Sequence, residues 1–156
     1  MSSSIKLSQY WRRIPFLILY YGIGRFLPPS YSIGGGFAKK FRYFCCKHIF
    51  EYCGKNVNIE RMACFGSGFR IKIGDNSGIG LRCTVCSDIE IGDNVLMGPE
   101  CFFLTFDVWI GRECMFTPGR NIADGTIIAA RTLVCKDFEA YSIIGGNPSR
   151  KIGERE

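Results

Sequence analysis

A six-residue repeat in the middle of the chain constrains the fold more than any other feature of the sequence. The segment Ile73-Gly74-Asp75-Asn76 returns as Ile91-Gly92-Asp93-Asn94 after three periods, and within each copy an apolar residue followed by Gly recurs after six. A period of six fits neither the 3.6-residue period of an α-helix nor the alternation of a long strand. A fixed repeat of this kind predicts a stacked array of short structural units.

Apolar residues occupy the repeat positions over most of the chain, with a one-residue shift between Phe103 and Ile110. We interpret each unit as a short strand followed by a tight corner, where Gly or Ala avoids crowding of the backbone. Three sides close one coil, and stacking of coils buries the apolar column that one coil cannot bury alone. This predicts a parallel β-helix, with a sandwich of short strands as the alternative. The predicted inward residues are Val57, Ile59, Phe65, Ile71, Ile73, Ile79, Val85, Ile91, Met97, Phe103, Ile110, Phe116, Ile122, Ile128 and Val134.

Length and charge limit the organisation and the class of partner. The 156 residues suit one domain with an appendage. We predict an N-terminal helical segment at residues 1–54, a β-helix at residues 55–137 and a C-terminal extension at residues 138–156. The net charge of +6 indicates an anionic partner, namely a phosphorylated cofactor, a membrane surface or nucleic acid. No long basic run or recognition helix supports nucleic acid, so we predict no nucleic-acid binding.

The N-terminal segment predicts helices rather than a membrane span. Residues 14–27 are rich in Phe, Leu, Ile and Tyr, but they are too few to span a bilayer and are interrupted by Arg25. No small-residue cleavage site follows closely, which argues against a removed signal peptide. One interpretation is packing across the end or flank of the β-helix. The other is peripheral contact of residues 10–27 with a membrane surface. A further helix is predicted from Phe37 to Cys53, ended by Gly54.

Nine cysteines, an odd number with irregular spacing, predict reduced structural thiols in the cytoplasm. Several occupy inward repeat positions, where Cys serves as a small apolar residue. Cys83 and Cys86 form a lone CxxC pair, and zinc is the alternative there. No second pair at zinc-ribbon spacing supports it, so no metal site is predicted.

The last third of the chain carries motifs in a specific order. Asp107-Val108-Trp109-Ile110-Gly111 is followed by Pro118-Gly119, by Lys136-Asp137, by Tyr141-Ser142-Ile143 and by Gly146-Asn147-Pro148. This pattern resembles the hexapeptide-repeat acyltransferases, in the branch of maltose, galactoside and capsular-polysaccharide O-acetyltransferases, over about residues 55–152. The resemblance implies an all-β fold built on a left-handed parallel β-helix. It also implies a homotrimer with acetyl-coenzyme A bound in a groove between neighbouring subunits.

The same resemblance implies a set of donor-binding residues. Backbone groups near Ala130 and Cys135 would contact the pantetheine arm. Lys136 and Arg150 would meet the phosphates, where a cation gains charge-assisted hydrogen bonds. Trp109 matches the tryptophan that walls the acetyl end. Arg131 stands where the family usually has Gly. The implied cofactor-binding residues are therefore Trp109, Ala130, Cys135, Lys136 and Arg150.

The catalytic base that the family uses is missing from its expected place. In the family a His lies in a loop just before the Asp107 motif, but here Thr105 runs almost directly into Asp107. The only His, His48, lies in the helical segment, so the catalytic residues stay unassigned. Asp107 and Glu100 are carboxylates, which are weak bases for a sugar hydroxyl at their ordinary pKa.

Two functions remain open from the sequence. One is an acetyl-coenzyme A-dependent O-acetyltransferase acting on a sugar or polysaccharide-precursor hydroxyl, without the catalytic His loop. The other is a non-catalytic trimeric module that keeps a coenzyme A groove. A β-helical carbonic anhydrase, which needs three His on zinc, is excluded by the single His. The acceptor cannot be identified, because the family's acceptor positions are not matched.

Overall fold

Short strands and two helices make up the part of the chain that the structure describes. The computed structural model covers residues 7–85, 88–103 and 107–155, with side chains described from Tyr10 onward. The helices are α1 (Leu7–Gly22) and α2 (Gly35–Ile49), with a 3-10 turn at Gly24–Phe26 between them. The strands are β1 (Tyr52–Cys53), β2 (Asn58–Ile59), β3 (Lys72–Ile73), β4 (Gly78–Ile79), β5 (Thr84–Val85), β6 (Ile89–Ile91), β7 (Leu96–Met97), β8 (Phe102–Phe103), β9 (Val108–Ile110), β10 (Met115–Phe116), β11 (Asn121–Ile122), β12 (Ile127–Ile128), β13 (Leu133–Val134), β14 (Ser142–Gly145) and β15 (Arg150–Glu154).

The strands form three sheets that are the faces of one prism. Face A has the order β1-β3-β6-β9-β12-β14-β15, face B the order β13-β10-β7-β4-β2, and face C the order β11-β8-β5. From β3 to β13, consecutive strands visit the faces in turn, and they pair in parallel with strands one coil away. The fold is a parallel β-helix of about five turns, as the repeat predicted, and it is preceded by two helices, as the N-terminal segment predicted.

An aliphatic column holds the coils in register. Ile73 pairs with Ile91, Ile91 with Ile110 and Ile110 with Ile128, and all four side chains are buried. The predicted column is confirmed, including the interval between Ile91 and Ile110, which is longer by one residue than the interval before it. Every other predicted inward residue is buried as well. Because each buried aliphatic side chain contributes roughly 1.5–3 kcal/mol, the column is the main source of stability.

Each residue of the repeated Ile-Gly-Asp-Asn sequence has its own role at the corner of a coil. Gly74 leaves room for the next coil, since a Cβ there would lie 2.3 Å from Asp93 Oδ1. Asp93 Oδ1 accepts a hydrogen bond from the Asp75 backbone N–H at 2.8 Å, one coil earlier. Asn76 adopts the left-handed backbone region with φ of 54°, which Asn tolerates better than most residues. The motif therefore encodes the corner as well as the buried column.

The two helices cover the N-terminal end of the prism. The Tyr20 ring contacts Phe65 at 4.6 Å between centroids, and its hydroxyl donates to Ala63 O at 2.9 Å. Phe50, just after α2, packs on Phe65 at 4.9 Å. Arg42 of α2 is fully buried and lies 3.8 Å from Glu60. The helices thus bury the apolar residues of the first coil, which no earlier coil could cover.

The structure corrects the predicted end of the second helix. The helix predicted to run from Phe37 to Cys53 ends at Ile49. Phe50 leaves the helix with extended backbone, and Tyr52–Cys53 already pairs with β3 as the first strand of face A. At the other end, face A continues past residue 137, because β14 pairs in parallel with β12 and β15 returns antiparallel.

Replacing a column residue should weaken the fold far more than replacing its neighbour. For Ile91→Ala we expect the free energy of unfolding to fall by about 2–5 kcal/mol, because the substitution leaves a cavity between three coils. Glu90 precedes it on the same strand with an exposed side chain. Glu90→Ala should cost about 1 kcal/mol or less. Urea unfolding followed by circular dichroism compares them, and equal losses would contradict the stacked column.

Candidate functional site

Trp109 lies on the outer side of face A. It is the middle residue of β9, between the buried Val108 and Ile110, so its ring points away from the core. Its side chain is 47% exposed. Its neighbours across the sheet are Glu90 on β6 and Ile127 on β12. An exposed indole in this position can serve as a wall for a bound molecule.

Ala130 lies at the corner between faces A and B, where successive coils approach closely. A Cβ on Gly111 would lie 2.6 Å from the Ala130 backbone nitrogen. Arg131, where the family usually has Gly, adopts the left-handed region with φ of 62°. Its Nε lies 2.7 Å from Glu113 Oε2 on the preceding coil. The ion pair holds the arginine side chain along the surface of the corner.

Cys135 is joined to the C-terminal turn at the corner that follows β13. Its backbone N–H donates to Ser149 Oγ at 3.2 Å, and its Sγ lies 3.5 Å from the same oxygen. Hydrogen bonding by the side chain and the backbone of Ser149 to the sulfur lowers the pKa of the Cys135 thiol. The Ser149 backbone N–H donates to Leu133 O at 3.1 Å. The contacts bring Arg150, which follows Ser149, to the same end of the prism as Cys135.

Lys136 and Arg150 are both exposed at this end. Lys136 Nζ lies 5.4 Å from the centre of the Phe138 ring. Neither cation is ion-paired within the described residues. The structure therefore gathers Cys135, Lys136 and Arg150 at one corner, whereas Trp109 and Ala130 lie on and beside face A. Their roles in donor binding stay predictions.

The possible bases are held in other contacts. Asp107 Oδ2 lies 2.7 Å from Arg155 Nη2, and Glu100 Oε1 lies 3.4 Å from Arg82 Nη1. Both carboxylates are therefore engaged in ion pairs at the surface. His48 lies on α2, outside the β-helix, and its ring stacks on that of Phe16 with 4.2 Å between the centroids. Residues 104–106, where the missing loop is expected, lie outside the described residues.

A cleft lined by both polar and apolar residues lies between the N-terminal segment and face B. Its volume is about 340 Å³, and we call it the N-terminal cleft. Sequence reasoning missed it, although Asn56 and Asn76 occupy equivalent corners and Asn56 Nδ2 donates to Asn76 Oδ1 at 3.1 Å. The recurrence of Asn at this corner is the sequence feature that could have indicated the cleft. The lining residues are Tyr31, Lys39, Asn56, Asn58, Glu60, Asn76, Ser77, Gly78, Ile79, Gly80, Leu81, Leu96, Met97 and Pro99.

Glu60 is the buried carboxylate of this cleft. It accepts hydrogen bonds from the Ser30 backbone N–H at 3.0 Å, from Ser30 Oγ and from Asn58 Nδ2 at 2.8 Å. Burial raises the pKa of Glu60, but the hydrogen bonds from Ser30 and Asn58 and the charge of Arg42 outweigh it and leave the pKa below 4.5. Asn58 Oδ1 is buried without a hydrogen-bond partner in the described structure. Carboxylate and amide groups in such a cleft can bind a polyhydroxylated molecule.

The described residues contain no group of three His, Cys, Asp or Glu that could hold a metal ion. Cys83 is buried and donates to Gly98 O at 3.2 Å, whereas Cys86 lies outside the described residues. The zinc alternative at this pair is therefore not tested.

The known proteins that the chain resembles are acetyltransferases. No family model matches the chain. Galactoside O-acetyltransferase of Escherichia coli (strain K12) is 30% identical in an alignment of 133 residues, and the match covers 69% of this chain and 66% of that protein. Chloramphenicol acetyltransferase of Klebsiella aerogenes is 55% identical over 49 residues, 31% of this chain and 23% of that protein. The chain thus matches only about a quarter of the length of this second relative.

A solved structure supports the fold. Serine acetyltransferase from Brucella abortus strain S19, determined in complex with coenzyme A, superimposes with a TM-score of 0.58. The alignment covers 96% of this chain and 55% of that protein at 19% identity. At this identity the likeness concerns the path of the backbone.

The buried Glu60 should make the stability depend on pH in a defined range. Because its folded pKa is lowered, its contribution is present above pH 4.5 and is lost as the pH falls through the folded pKa. For Glu60→Gln we expect a lower melting temperature at pH 7 and a smaller loss as the pH falls below 4.5. Glu139→Gln, at an exposed carboxylate, is the control. Parallel pH profiles for Glu60→Gln and the parent chain would contradict the assignment.

Proposed function

Because the chain belongs to the hexapeptide-repeat acyltransferases, we propose that it binds acetyl-coenzyme A and positions the acetyl group beside a sugar or polysaccharide-precursor hydroxyl. The observation that carries this proposal is the corner formed by Cys135, Lys136 and Arg150. It presents two cations without acidic partners among the described residues, beside backbone that a pantetheine arm can follow. Reduced thiols and the acetyl donor favour the cytoplasm as the location.

The site is completed by a second copy of the chain. Leu96, Met115 and Leu133 align on the outer side of face B, and Leu96 and Met115 are exposed. This apolar strip lies between the Ala130 corner and the Cys135 corner. A neighbouring prism against it would bury the strip and turn both corners into the walls of one groove. We therefore propose the homotrimer that the family resemblance implies.

The acceptor is proposed to enter through the N-terminal cleft. Glu60 and the Asn side chains are polar groups of the cleft, and Leu96 gives it an apolar wall. The relative from Escherichia coli acts on galactosides by its name. A saccharide hydroxyl is accordingly the acceptor class that the cleft suits.

In the transfer step, the acceptor oxygen attacks the thioester carbonyl carbon, the carbon–sulfur bond breaks and coenzyme A leaves as a thiolate. The hydroxyl proton must be removed during attack, and a general base typically contributes about 10²- to 10⁴-fold to the rate. Asp107 and Glu100 are paired with arginines, and His48 lies on α2, outside the β-helix. The described residues would then contribute to the rate by aligning the two substrates.

The pairing of these carboxylates favours a second candidate function. A chain that keeps the donor corner without a base would bind coenzyme A and turn it over slowly or not at all. It would then act as a non-catalytic trimeric module. Binding and turnover therefore have to be measured separately, as the next two experiments do.

Neutralising the two cations should weaken donor binding. Each charge-assisted contact to a phosphate contributes roughly 1.5–3 kcal/mol. We therefore expect Lys136→Ala/Arg150→Ala to raise the Kd for coenzyme A by one or more orders of magnitude in calorimetry. Lys72→Ala/Arg82→Ala removes two exposed cations from earlier coils and is the matched control. Light scattering of the same samples checks that the oligomeric state is kept. Unchanged affinity would place the nucleotide elsewhere.

Acetyl transfer by this chain should be weak, and adding a base should raise it. We expect insertion of a His-bearing loop between Thr105 and Asp107 to increase the rate at least a hundredfold, because it supplies general-base catalysis. The same loop with Ala in place of His is the control for loop length. His48→Ala should leave the residual rate unchanged. Robust turnover by the parent chain that is lost on His48→Ala would contradict this account.

A further inference from the structure

The side of α1 that faces away from the prism is an exposed apolar stripe. Trp11, Ile14 and Ile18 are spaced by three and four residues, so they lie on one side of the helix. Trp11 is 70% exposed and Ile18 is 68% exposed. The other side packs on the first coil, where Tyr20 donates to Ala63 O and Arg13 Nη1 donates to Phe69 O at 2.9 Å. The exposed stripe is therefore not needed to attach the helix.

A second stripe on α2 combines aromatic rings with lysines. Phe37, Lys40, Phe44 and Lys47 are spaced by three and four residues, and all four are exposed. The opposite side of α2, with Arg42 among others, is buried against the prism. Since α1 and α2 pack side by side, with Phe16 5.7 Å from Phe44, their outward sides adjoin. We call Trp11, Arg12, Ile14, Ile18, Phe37, Lys40, Phe44 and Lys47 the outer helical surface.

Charge is distributed unevenly between this segment and the rest of the chain. Met1 to Phe50 contains eight Lys and Arg and no Asp or Glu, so the rest of the chain holds twelve basic and all fourteen acidic residues. Within the outer helical surface, Arg12, Lys40 and Lys47 have no ion-pair partner among the described residues. The surface is thus apolar at its centre and purely cationic in charge.

The combination of exposed apolar side chains and unpaired cations favours one kind of binding partner for the outer helical surface. A second copy of the same surface would bring cations against cations, which opposes association. Nucleic acid would leave Ile14 and Ile18 without an apolar partner. An anionic bilayer offers both partners, since its phosphates meet the cations and its acyl boundary takes the apolar side chains. Neither helix of the described chain is long and apolar enough to cross a bilayer, so the contact would be with the lipid surface.

We propose that the outer helical surface binds the protein to the surface of an anionic phospholipid membrane. The helices pack on the first coil, at the N-terminal end of the prism. Prisms that associate side by side can therefore all turn this surface in one direction. Membrane binding does not depend on acetyl transfer, so it stands or falls separately from the proposed function.

Tryptophan fluorescence tests the contact without altering the surface itself. The chain has two Trp residues, so Trp109→Phe leaves Trp11 as the only indole. We expect the Trp11 emission to shift to shorter wavelength with vesicles of equimolar phosphatidylcholine and phosphatidylglycerol. Pure phosphatidylcholine vesicles should give little shift, and salt should weaken the anionic response. A Trp11 emission wavelength that is unchanged by both vesicle types would overturn the proposal.

Vesicle sedimentation separates the two components of binding. We expect Arg12→Gln/Lys40→Gln/Lys47→Gln to lower the partition coefficient on the anionic vesicles about a hundredfold, since each cation near such a surface contributes about tenfold or less. Trp11→Ser/Ile18→Ser should lower it at least tenfold. The matched controls are Arg70→Gln/Lys72→Gln/Arg82→Gln and Ile152→Ser, which change exposed residues of the prism. Circular dichroism checks folding.

Two outcomes would overturn the membrane assignment. The first is equal vesicle binding by the surface variants and the controls. The second is a fall in oligomeric mass for Trp11→Ser/Ile18→Ser with vesicle binding unchanged, which would make the surface an interface between copies.

Discussion

Coil-to-coil stacking is the constraint on which the rest of the structure depends. In a parallel β-helix each backbone strand pairs only with the coils before and after it, and each inward side chain packs on its equivalent one coil away. The pairing of Ile73, Ile91 and Ile110 shows how strictly this register is kept, even where one extra residue enters the chain. The extra residue falls between β8 and β9, because a shift inside a strand would turn the buried side chains outward.

Stacking also creates two open ends, and the chain treats them differently. At the start, α1 and α2 bury the first coil through Tyr20, Phe50 and Phe65. At the end, β15 turns back antiparallel along β14 and is itself the last strand of face A. Each of these terminal segments carries a proposed functional surface. Residues outside the repeat do not have to keep an apolar side chain at every sixth position. The first presents the outer helical surface, and the second brings Arg150 towards Cys135.

Outward positions and corners carry the chemistry, since the inward positions are committed to the core. Residues far apart in sequence, such as Leu133 and Ser149, become neighbours because they belong to successive turns of the chain. Asp107 and Glu100 form ion pairs with Arg155 and Arg82, which lie far from them in the sequence. The proposed donor groups lie at such corners as well, and their roles in binding stay predictions.

The sequence by itself determined the coil. The period of six, the apolar column and the Gly-Asp-Asn corners follow from local spacing, and the structure bears out every predicted inward residue. The donor residues came from the resemblance in motif order, so their roles remain predictions. Only the tertiary structure decided where the repeat begins and ends: Tyr52–Cys53 joins face A, and Ser142–Gly145 continues it. Strand pairing at these ends depends on contacts with distant residues rather than on spacing. The N-terminal cleft was decided in the same way, because Glu60 and Ser30 meet only when the linker between the helices folds back on the first coil.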